Sequence, residues 1–260
     1  HKGSEKAFFM NGKKNIPITA SGNILTGAVN ENGYFALLTE EKGFKAEIVV
    51  YDKNGEEFYK WHSAENFVTD ITLSPSNTAF AASALDYSDG ALKSKLLIFD
   101  TTQAEPKITD ANENFTQIEF IGRSKIAVVS DNAVSVYSTG GNRLWQHSFG
   151  NKTVFAYKIK DGKIAAAAGD SNLGTETLDV LMFNDGGKAV VNFKNKGEAV
   201  CLDILGNDVL IAGKRYMRVA DNKEKWYLKT GKDIASAQFF GNNKTALVHS
   251  GALVQLEYFE

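Results

Sequence analysis

Histidine and cysteine, the side chains most often used for metal binding and nucleophilic catalysis, are scarce in this sequence of 260 residues. His62 and His147 follow Trp61 and Trp145 by one and two residues, which is the spacing of a repeat and not of a metal-ligand motif. Cys201 is the single cysteine and lies in the apolar run AVCLDIL. The nucleophile elbow, the H-E-x-x-H zinc motif and the phosphate-binding loop are all missing. The sequence therefore predicts no catalytic residue, no metal site and no cofactor.

Polar and aromatic side chains that could bind a ligand concentrate in one long connection, residues 85–94 (LDYSDGALKS). Long loops on a rigid scaffold often carry binding residues. The candidate binding residues are therefore Asp86, Tyr87, Asp89 and Lys93. An ordinary surface loop is the alternative interpretation of the same segment.

Charge and hydropathy exclude several classes of partner. The chain has 29 basic and 31 acidic residues, so no single-sign field would attract a polyanion. Only Arg123, Arg143, Arg215 and Arg218 carry guanidinium groups, which nucleic-acid binders favour. No apolar stretch approaches the 18 residues needed to cross a membrane. Because the sequence begins at His1 and not at Met, we expect that an upstream signal or anchor was removed.

The elements that must position any binding residue follow a repeat. A turn after an alternating apolar strand recurs from Gly33 to Gly241, with about 42 residues between repeats. Each period contains four short β-rich runs, and Asn54-Gly55 is a strong hairpin signal between two of them. This superperiod predicts four-stranded antiparallel blades of a β-propeller, whereas a β-sandwich does not require it. We expect an all-β chain with little or no helix.

The blades are predicted in a single domain that covers residues 1–260. Strand character places them near 24–63, 67–109, 115–149, 153–194, 198–229 and 233–259. The last blade lacks its outermost strand. We expect residues 15–21 to supply that strand by pairing with residues 252–259, which closes a ring of six blades. Residues 6–11 and 15–21 look like the third and fourth strands of a blade, joined by GKK. They bring the total to 25 strands, one more than six blades need, so under closure at six residues 6–11 would lie outside the blade or add a short fifth strand. The alternative is a ring of seven blades whose missing strands lie upstream of His1.

The three tryptophans, Trp61, Trp145 and Trp226, recur at about twice the repeat length and fall on fourth, outermost strands. A large aromatic side chain there can lie across the gap to the next blade. We interpret all three as structural residues that dock one blade on the next.

Four stretches resemble known families. VSVYSTGGNRLWQHSF (134–149) and IVVYDKNGEEFYKWHS (48–63) are similar to the repeat unit of the pyrroloquinoline-quinone-like and WD40-like propeller superfamily. Residues 71–100 and 115–138 resemble an uncharacterised family of membrane-anchored, extracytoplasmic β-propeller domains of Gram-positive bacteria. That resemblance implies an extracytoplasmic domain held at the cell surface. It carries no established catalytic or ligand residues.

Two classes of function remain. The first is a non-catalytic binding or scaffolding propeller at the bacterial cell envelope, which recognises a protein, peptide or glycan through one rim. The second is a propeller enzyme, namely a lyase, glycosidase or quinoprotein, with its site at the mouth of the central channel. The predicted innermost strands, such as ITLSPS, IEFIG and CLDIL, carry few carboxylates or histidines. The sequence therefore favours binding.

Overall fold

The computed structural model describes residues 3–11, 14–87, 90, 92–111, 113–170, 177–241, 245–251 and 253–258. These residues form 25 β-strands and contain no helix. The predictions of an all-β chain and of 25 strands are both confirmed.

The strands form seven sheets in which consecutive strands are neighbours. The sheets comprise an N-terminal hairpin of β1 (Lys6–Asn11) and β2 (Lys14–Thr19); sheet 1 of β3 (Ile24–Val29), β4 (Phe35–Thr39), β5 (Ala46–Tyr51) and β6 (Glu57–Ser63); sheet 2 of β7 (Phe67–Leu73), β8 (Ala79–Asp86), β9 (Lys93–Asp100) and β10 (Lys107–Asp110); sheet 3 of β11 (Phe115–Ile121), β12 (Lys125–Ser130), β13 (Ala133–Ser138) and β14 (Arg143–Ser148); sheet 4 of β15 (Thr153–Lys160), β16 (Lys163–Gly169), β17 (Thr177–Asn184) and β18 (Ala189–Lys196); sheet 5 of β19 (Cys201–Leu205), β20 (Asp208–Gly213), β21 (Tyr216–Ala220) and β22 (Glu224–Lys229); and a C-terminal sheet of β23 (Ser236–Phe239), β24 (Thr245–Ser250) and β25 (Leu253–Tyr258).

The chain groups into two compact units. The first contains His1–Ser130 and Tyr137–Leu144, and the second contains Asp131–Val136 and Trp145–Glu260. Within the first unit β3 packs beside β7 and β7 beside β11, whereas within the second unit β15 packs beside β19 and β19 beside β23. First strands of consecutive sheets thus lie next to each other. The assignment of one domain to the whole chain stays a prediction.

The predicted pairing of residues 15–21 with residues 252–259 requires correction. Among the described residues β2 pairs with β1, and β25 pairs with β24. The two terminal sheets are therefore separate in the sheet topology. A hairpin whose strands are two residues apart closes at far lower entropic cost than a pairing across most of the chain, and β1 satisfies the backbone groups of β2 locally.

The middle strands form the core because their sequences are continuously apolar. Every residue of β4 (FALLT) and β5 (AEIVVY) is buried, since both faces of these strands are covered. In the fourth strands, exposed and partly buried residues alternate instead. Strands β14 and β22 have the same pattern of exposed and partly buried residues. One face of each fourth strand packs inward and the other meets solvent.

The turn between third and fourth strands carries the same cap in successive sheets. Asp52 Oδ1 accepts hydrogen bonds from the amides of Asn54 and Glu56 at 2.8 and 2.9 Å. Asn184 Oδ1 accepts from the amides two and four residues later at 3.1 and 2.9 Å. Such side chains imitate a backbone turn and so fix where the strand ends. Equivalent caps are made by Asp100, Ser138 and Asp221.

This capped turn also contacts the fourth strand of the preceding sheet. In three places a fourth-strand side chain donates to a main-chain carbonyl of the next turn, at 3.1, 3.0 and 3.1 Å. The pairs are Tyr59 to Gln103, Thr109 to Gly141, and Trp145 to Asp185. The repeat seen in the sequence is therefore a repeat of contacts as well as of strands.

The N-terminal hairpin meets sheet 1 in the same way. Gly55 lies in the capped turn of sheet 1 with φ +84°, and a Cβ there would approach Ile16 of β2 to 2.6 Å. Phe9 of β1 stacks on Phe35 of β4 with ring centroids 4.4 Å apart. Strand β2 thus occupies the place of a fourth strand, and β1 that of a third.

Candidate functional site

One end of sheets 1 and 2 presents four large apolar side chains to solvent. Phe44 lies between β4 and β5, Phe67 begins β7, and Tyr87 and Leu92 lie between β8 and β9. Their exposed fractions are 45, 54, 68 and 50%. Phe67 pairs with Leu85, next to the β8–β9 connection, so these residues share one end of the strands. We call this group of four the apolar rim.

The rim is held in place by specific contacts. The Phe44 ring stacks on His62 with centroids 4.5 Å apart, and the Lys45 ammonium lies 4.4 Å from the centroid of the Phe67 ring. The amide of Lys45 donates to the carbonyl of Ser63 at 2.7 Å. Aromatic side chains fixed in this way lose little conformational entropy when a partner covers them.

A buried carboxylate contacts the histidine on which the rim residue Phe44 stacks. Glu47 is 2% exposed, its Oε2 lies 2.8 Å from Nε2 of His62, and its Oε1 accepts from the hydroxyls of Ser21 and Thr39. Burial disfavours the charged form, but the Ser21 bond, the charge of Lys60 and the bonds from His62 and Thr39 outweigh it and lower the pKa of Glu47. The charged carboxylate thereby orients the imidazole on which Phe44 stacks.

The sequence did not identify Phe44 and Phe67 as candidates. Isolated phenylalanines in an all-β chain are usually interpreted as core residues. The sequence around Phe44 did contain a signal, because Phe44 is the single aromatic residue in the polar segment EEKGFKAE (40–47). Phe67 begins a strand and gave no comparable signal.

The predicted binding loop reaches the rim only in part. Tyr87 belongs to the rim, whereas Asp86 forms an ion pair with Lys95, at 2.9 Å between Oδ2 and Nζ. Lys93 stands opposite Asp86 in the β8–β9 pairing. Asp89 lies outside the described residues. The assignment of these residues to ligand binding stays a prediction.

Two of the predicted docking tryptophans meet aromatic side chains of the following sheet. The Trp61 ring lies edge-on to Phe99 with centroids 5.0 Å apart, and the Trp145 ring lies 5.6 Å from that of Phe183. Trp226 packs against the buried cluster that links β20 and β21 with β23 and β24. All three side chains are therefore placed between sheets.

The tryptophans do not occupy one register position. Trp61 stands opposite Ile48, and Tyr59 stands opposite Val50 two residues before the Asp52 cap. Trp226 stands opposite Val219, which lies two residues before the equivalent cap. Trp226 therefore corresponds to Tyr59, and Trp61 lies two residues further along its strand on the same face.

Carboxylates on the first strands accept hydrogen bonds from the next sheet. Asp70 Oδ2 on β7 accepts from the amide of Ile118 on β11 at 3.2 Å, and Asp203 Oδ2 on β19 accepts from the amide of Phe239 on β23 at 2.8 Å. Asp203 also receives the ammonium of Lys160 at 3.2 Å. In the described part of the chain, no group of three or more His, Cys, Asp or Glu could hold a metal ion.

A polar cleft of about 400 Å³ opens at the other end of sheet 2. Its lining includes Asp100, Glu105, Lys107 and Arg123, with Phe99 as an apolar neighbour. The two signs of charge are mixed, so the cleft has no preference for an anion or a cation. It can hold a small polar molecule.

The chain belongs to a family of unknown function (DUF5711), whose model matches residues 1–257. None of the functionally curated proteins matches the sequence. In the part of the chain that the structure describes, no helix is long and apolar enough to cross a bilayer.

Solved structures identify the fold. BamB from Moraxella catarrhalis is similar with a TM-score of 0.69 at 11% identity, over 99% of this chain and 81% of that one. Hsv2p of Kluyveromyces lactis gives 0.60 at 12%, over 90% and 74%. KlAtg21 in complex with the coiled coil of AgAtg16 gives 0.63 at 14%, over 91% and 81%. The predicted β-propeller fold is confirmed.

Proposed function

We propose that this chain is a non-catalytic binding or scaffolding propeller that recognises a protein partner through the apolar rim. The observation that carries the proposal is the exposure of Phe44, Phe67, Tyr87 and Leu92 at one end of two adjacent sheets. Grouped exposed apolar side chains mark interaction sites on soluble domains. Aromatic residues in particular are enriched in the energetically important parts of protein interfaces.

The rim favours a protein over the other ligand classes predicted from the sequence. Leu92 is aliphatic and half exposed, and Lys45 and Asp86 are already engaged by Phe67 and Lys95. Within the described residues, these two charged groups at the rim are therefore engaged inside the chain. Of the similar solved structures, KlAtg21 is in complex with the coiled coil of AgAtg16, which supports a protein partner.

We also propose that the chain acts outside the cytoplasm, at the envelope of a Gram-positive bacterium, and that its full-length form is membrane-anchored. The support is the resemblance of residues 71–100 and 115–138 to anchored propeller domains. For the enzyme alternative, Asp70 and Asp203 on the first strands are engaged in structural contacts, because each bonds an amide of the next sheet.

The test compares capture of envelope proteins by matched variants. Phe67→Ser/Leu92→Ser removes two rim side chains, and Ile108→Ser removes a side chain that is 52% exposed on the fourth strand of the same sheet. We expect a partner from detergent-solubilised envelope that binds the wild type and Ile108→Ser equally. The rim variant should bind that purified partner at least about tenfold more weakly, which corresponds to about 1.4 kcal/mol.

Equal binding by the rim variant would overturn the rim as the interface. Equal recovery of the partner from cytosolic and envelope fractions would overturn the envelope location.

A further inference from the structure

The polar cleft at the other end of sheet 2 is formed by the turns of two adjacent sheets. Sheet 2 supplies Ser76 and Thr78 from its β7–β8 turn and Gln103 from its β9–β10 turn. Sheet 3 supplies Arg123 and Thr139. All of the lining residues belong to the first compact unit. The volume of about 400 Å³ lies within the range of about 300–1,000 Å³ that is usual for small-molecule sites.

The turns around the cleft are held together by hydrogen bonds. The hydroxyl of Ser74 donates to Arg123 O at 2.9 Å and so joins the β7–β8 turn to the β11–β12 turn. The amide of Thr101 donates to Thr78 O at 2.9 Å and joins the β9–β10 turn to the β7–β8 turn. A site whose walls are already fixed loses little conformational entropy when a ligand binds.

The cleft contains carboxylates and cations that do not pair with one another. Asp100 Oδ1 accepts hydrogen bonds from the amide and the hydroxyl of Thr102 at 2.9 and 2.8 Å, which lowers the pKa of Asp100 and keeps it charged. Its Oδ2 accepts no hydrogen bond within the described residues. In the same part of the chain, neither Lys107 nor Arg123 forms an ion pair. These three side chains are therefore available to a ligand, and Glu105 adds a second carboxylate.

The balance of these groups favours an uncharged ligand that is rich in hydroxyls. An anion would face the carboxylates of Asp100 and Glu105, and a cation would face Lys107 and Arg123. An apolar molecule would remove all four groups from water without replacing their hydrogen bonds, which is costly. A hydroxyl group both donates and accepts, so one hydroxyl can bond a carboxylate and a cationic side chain at once.

The buried part of the lining is apolar. It consists of Ala79 at the start of β8 and of Ile98 and Phe99 near the end of β9. Phe99 is 1% exposed and stacks on Phe80 with ring centroids 4.2 Å apart, so its position is fixed. A sugar ring has a face of C–H groups and an edge of hydroxyls, and this combination matches an apolar floor with a polar border.

We propose that this cleft binds a neutral saccharide. Asp100 and Glu105 accept hydrogen bonds from the sugar hydroxyls, Lys107 and Arg123 donate to them, and the C–H face of the ring packs on Phe99. The cleft and the apolar rim lie at opposite ends of sheet 2, and neither proposal depends on the other. The chain then carries two binding sites of different chemistry, one for a protein and one for a sugar.

The probes are the neutral methyl glycosides of glucose, galactose, mannose and N-acetylglucosamine. Each is titrated to about 20 mM, so that a dissociation constant on the order of 1 mM is measured. The readout is the set of amide chemical shifts in nitrogen–proton correlation NMR spectra. At least one glycoside should shift the amides of Thr78, Gln103 and Arg123. The amides of Phe44 and Phe67 at the apolar rim should not change.

Two variants test the charged groups. Arg123→Gln and Asp100→Asn each remove a charge and keep a polar side chain, and asparagine retains an Oδ1 that can accept from Thr102. We expect each to weaken glycoside binding at least about fivefold, because hydrogen bonds to charged groups are the stronger ones. Arg143→Gln is the matched control, since Arg143 is 49% exposed on sheet 3 and does not line the cleft. It should change binding by less than about twofold.

Unchanged amide shifts outside the cleft check that the variants remain folded. Three results would overturn the proposal. None of the neutral glycosides could bind. The shifts could lie outside the cleft or persist at full affinity in both Arg123→Gln and Asp100→Asn. Methyl glucuronide, methyl glucosaminide or alanine could bind more than about tenfold tighter than every neutral glycoside, which would assign the cleft to an anion, a cation or a zwitterion.

Discussion

At the scale of single residues, Glu47 combines nearly complete burial with four polar partners. Its carboxylate receives the hydroxyls of Ser21 and Thr39 and faces His62 and Lys60. Ser21 lies between the N-terminal hairpin and sheet 1, so this one charge links the two. Removing one member of such a cluster leaves buried polar groups without partners, which costs more than an exposed ion pair would return.

We predict that Glu47→Gln lowers the free energy of unfolding by about 1–3 kcal/mol at pH 7, measured by urea titration. The pKa of Glu47 is lowered in the folded state, so its stabilising contribution is present above the ordinary carboxyl range. It is lost as the pH falls below about 4.3 and through the lowered pKa. The difference between wild type and variant should therefore shrink on acidification.

A matched control is Glu57→Gln, whose side chain is 45% exposed. It should change stability by less than about 0.5 kcal/mol. A constant difference between wild type and Glu47→Gln from pH 7 to pH 3 would contradict the assigned charge state.

At the residue scale the sequence is most informative where a residue type has one common use, and less so where contacts decide. Cys201 lies in an apolar run, and it is partly buried against the cluster beside β23. Asp86 is a predicted binding residue, and its carboxylate forms an ion pair with Lys95 of the neighbouring strand. That pairing depends on the register between β8 and β9, which the loop sequence does not specify.

At the scale of elements, the strand limits followed closely from alternation and turn residues. Sheet 1 runs from Ile24 to Ser63, as predicted, and the other sheets begin and end within three residues of the predicted limits. The pairing of the terminal strands could not be predicted from these sequence signals. Residues 6–11 and 15–21 were predicted as adjacent third and fourth strands, and they do pair. A strand's sequence shows which face is apolar but not which strand its other edge joins, so the pairing of residues 15–21 with residues 252–259 was predicted but is not seen among the described residues.

Strand β14 contacts the sheet that follows it through one aromatic side chain, which also donates a hydrogen bond. Trp145 lies against Phe183 and Gly187, and its indole N–H donates to Asp185 O. The ring is only partly buried. We predict that Trp145→Ala lowers the free energy of unfolding by about 2–3 kcal/mol, less than for a fully buried tryptophan.

Chemical denaturation of Trp145→Ala, followed by far-ultraviolet circular dichroism, provides the measurement. Leu144→Ala is the control, because Leu144 is the neighbouring residue and is 50% exposed on the opposite face. A cost below about 0.5 kcal/mol for Trp145→Ala would show that the ring does not dock sheet 3 on sheet 4.

At the scale of the whole molecule, the total charge is nearly balanced, and the most basic segment is largely paired. Five basic residues lie between 214 and 225. Arg215 pairs with Asp233 at 2.7 Å, Arg218 with Glu224 at 2.8 Å, and Lys225 with Asp208. Because three of the five cations have a carboxylate within a few ångströms, this segment projects little positive potential.

We therefore predict no measurable binding of a fluorescein-labelled DNA duplex at about 150 mM salt by fluorescence anisotropy. A protein that neutralised several phosphates would bind more tightly as the salt concentration falls. A steep salt dependence would contradict this prediction and would return the 214–225 segment to consideration as a functional surface.

The hydrogen bonds from fourth strands to the next turn end on main-chain oxygens, those of Gln103, Gly141 and Asp185. A carbonyl oxygen is supplied by every residue type, so mutation of the receiving residue does not remove the acceptor. Selection then acts on the donor and on the shape of the turn, while most of the receiving sequence can drift. Chains with little sequence similarity can therefore share this architecture, in accord with the 11–14% identities to structures that align with 90% or more of this chain.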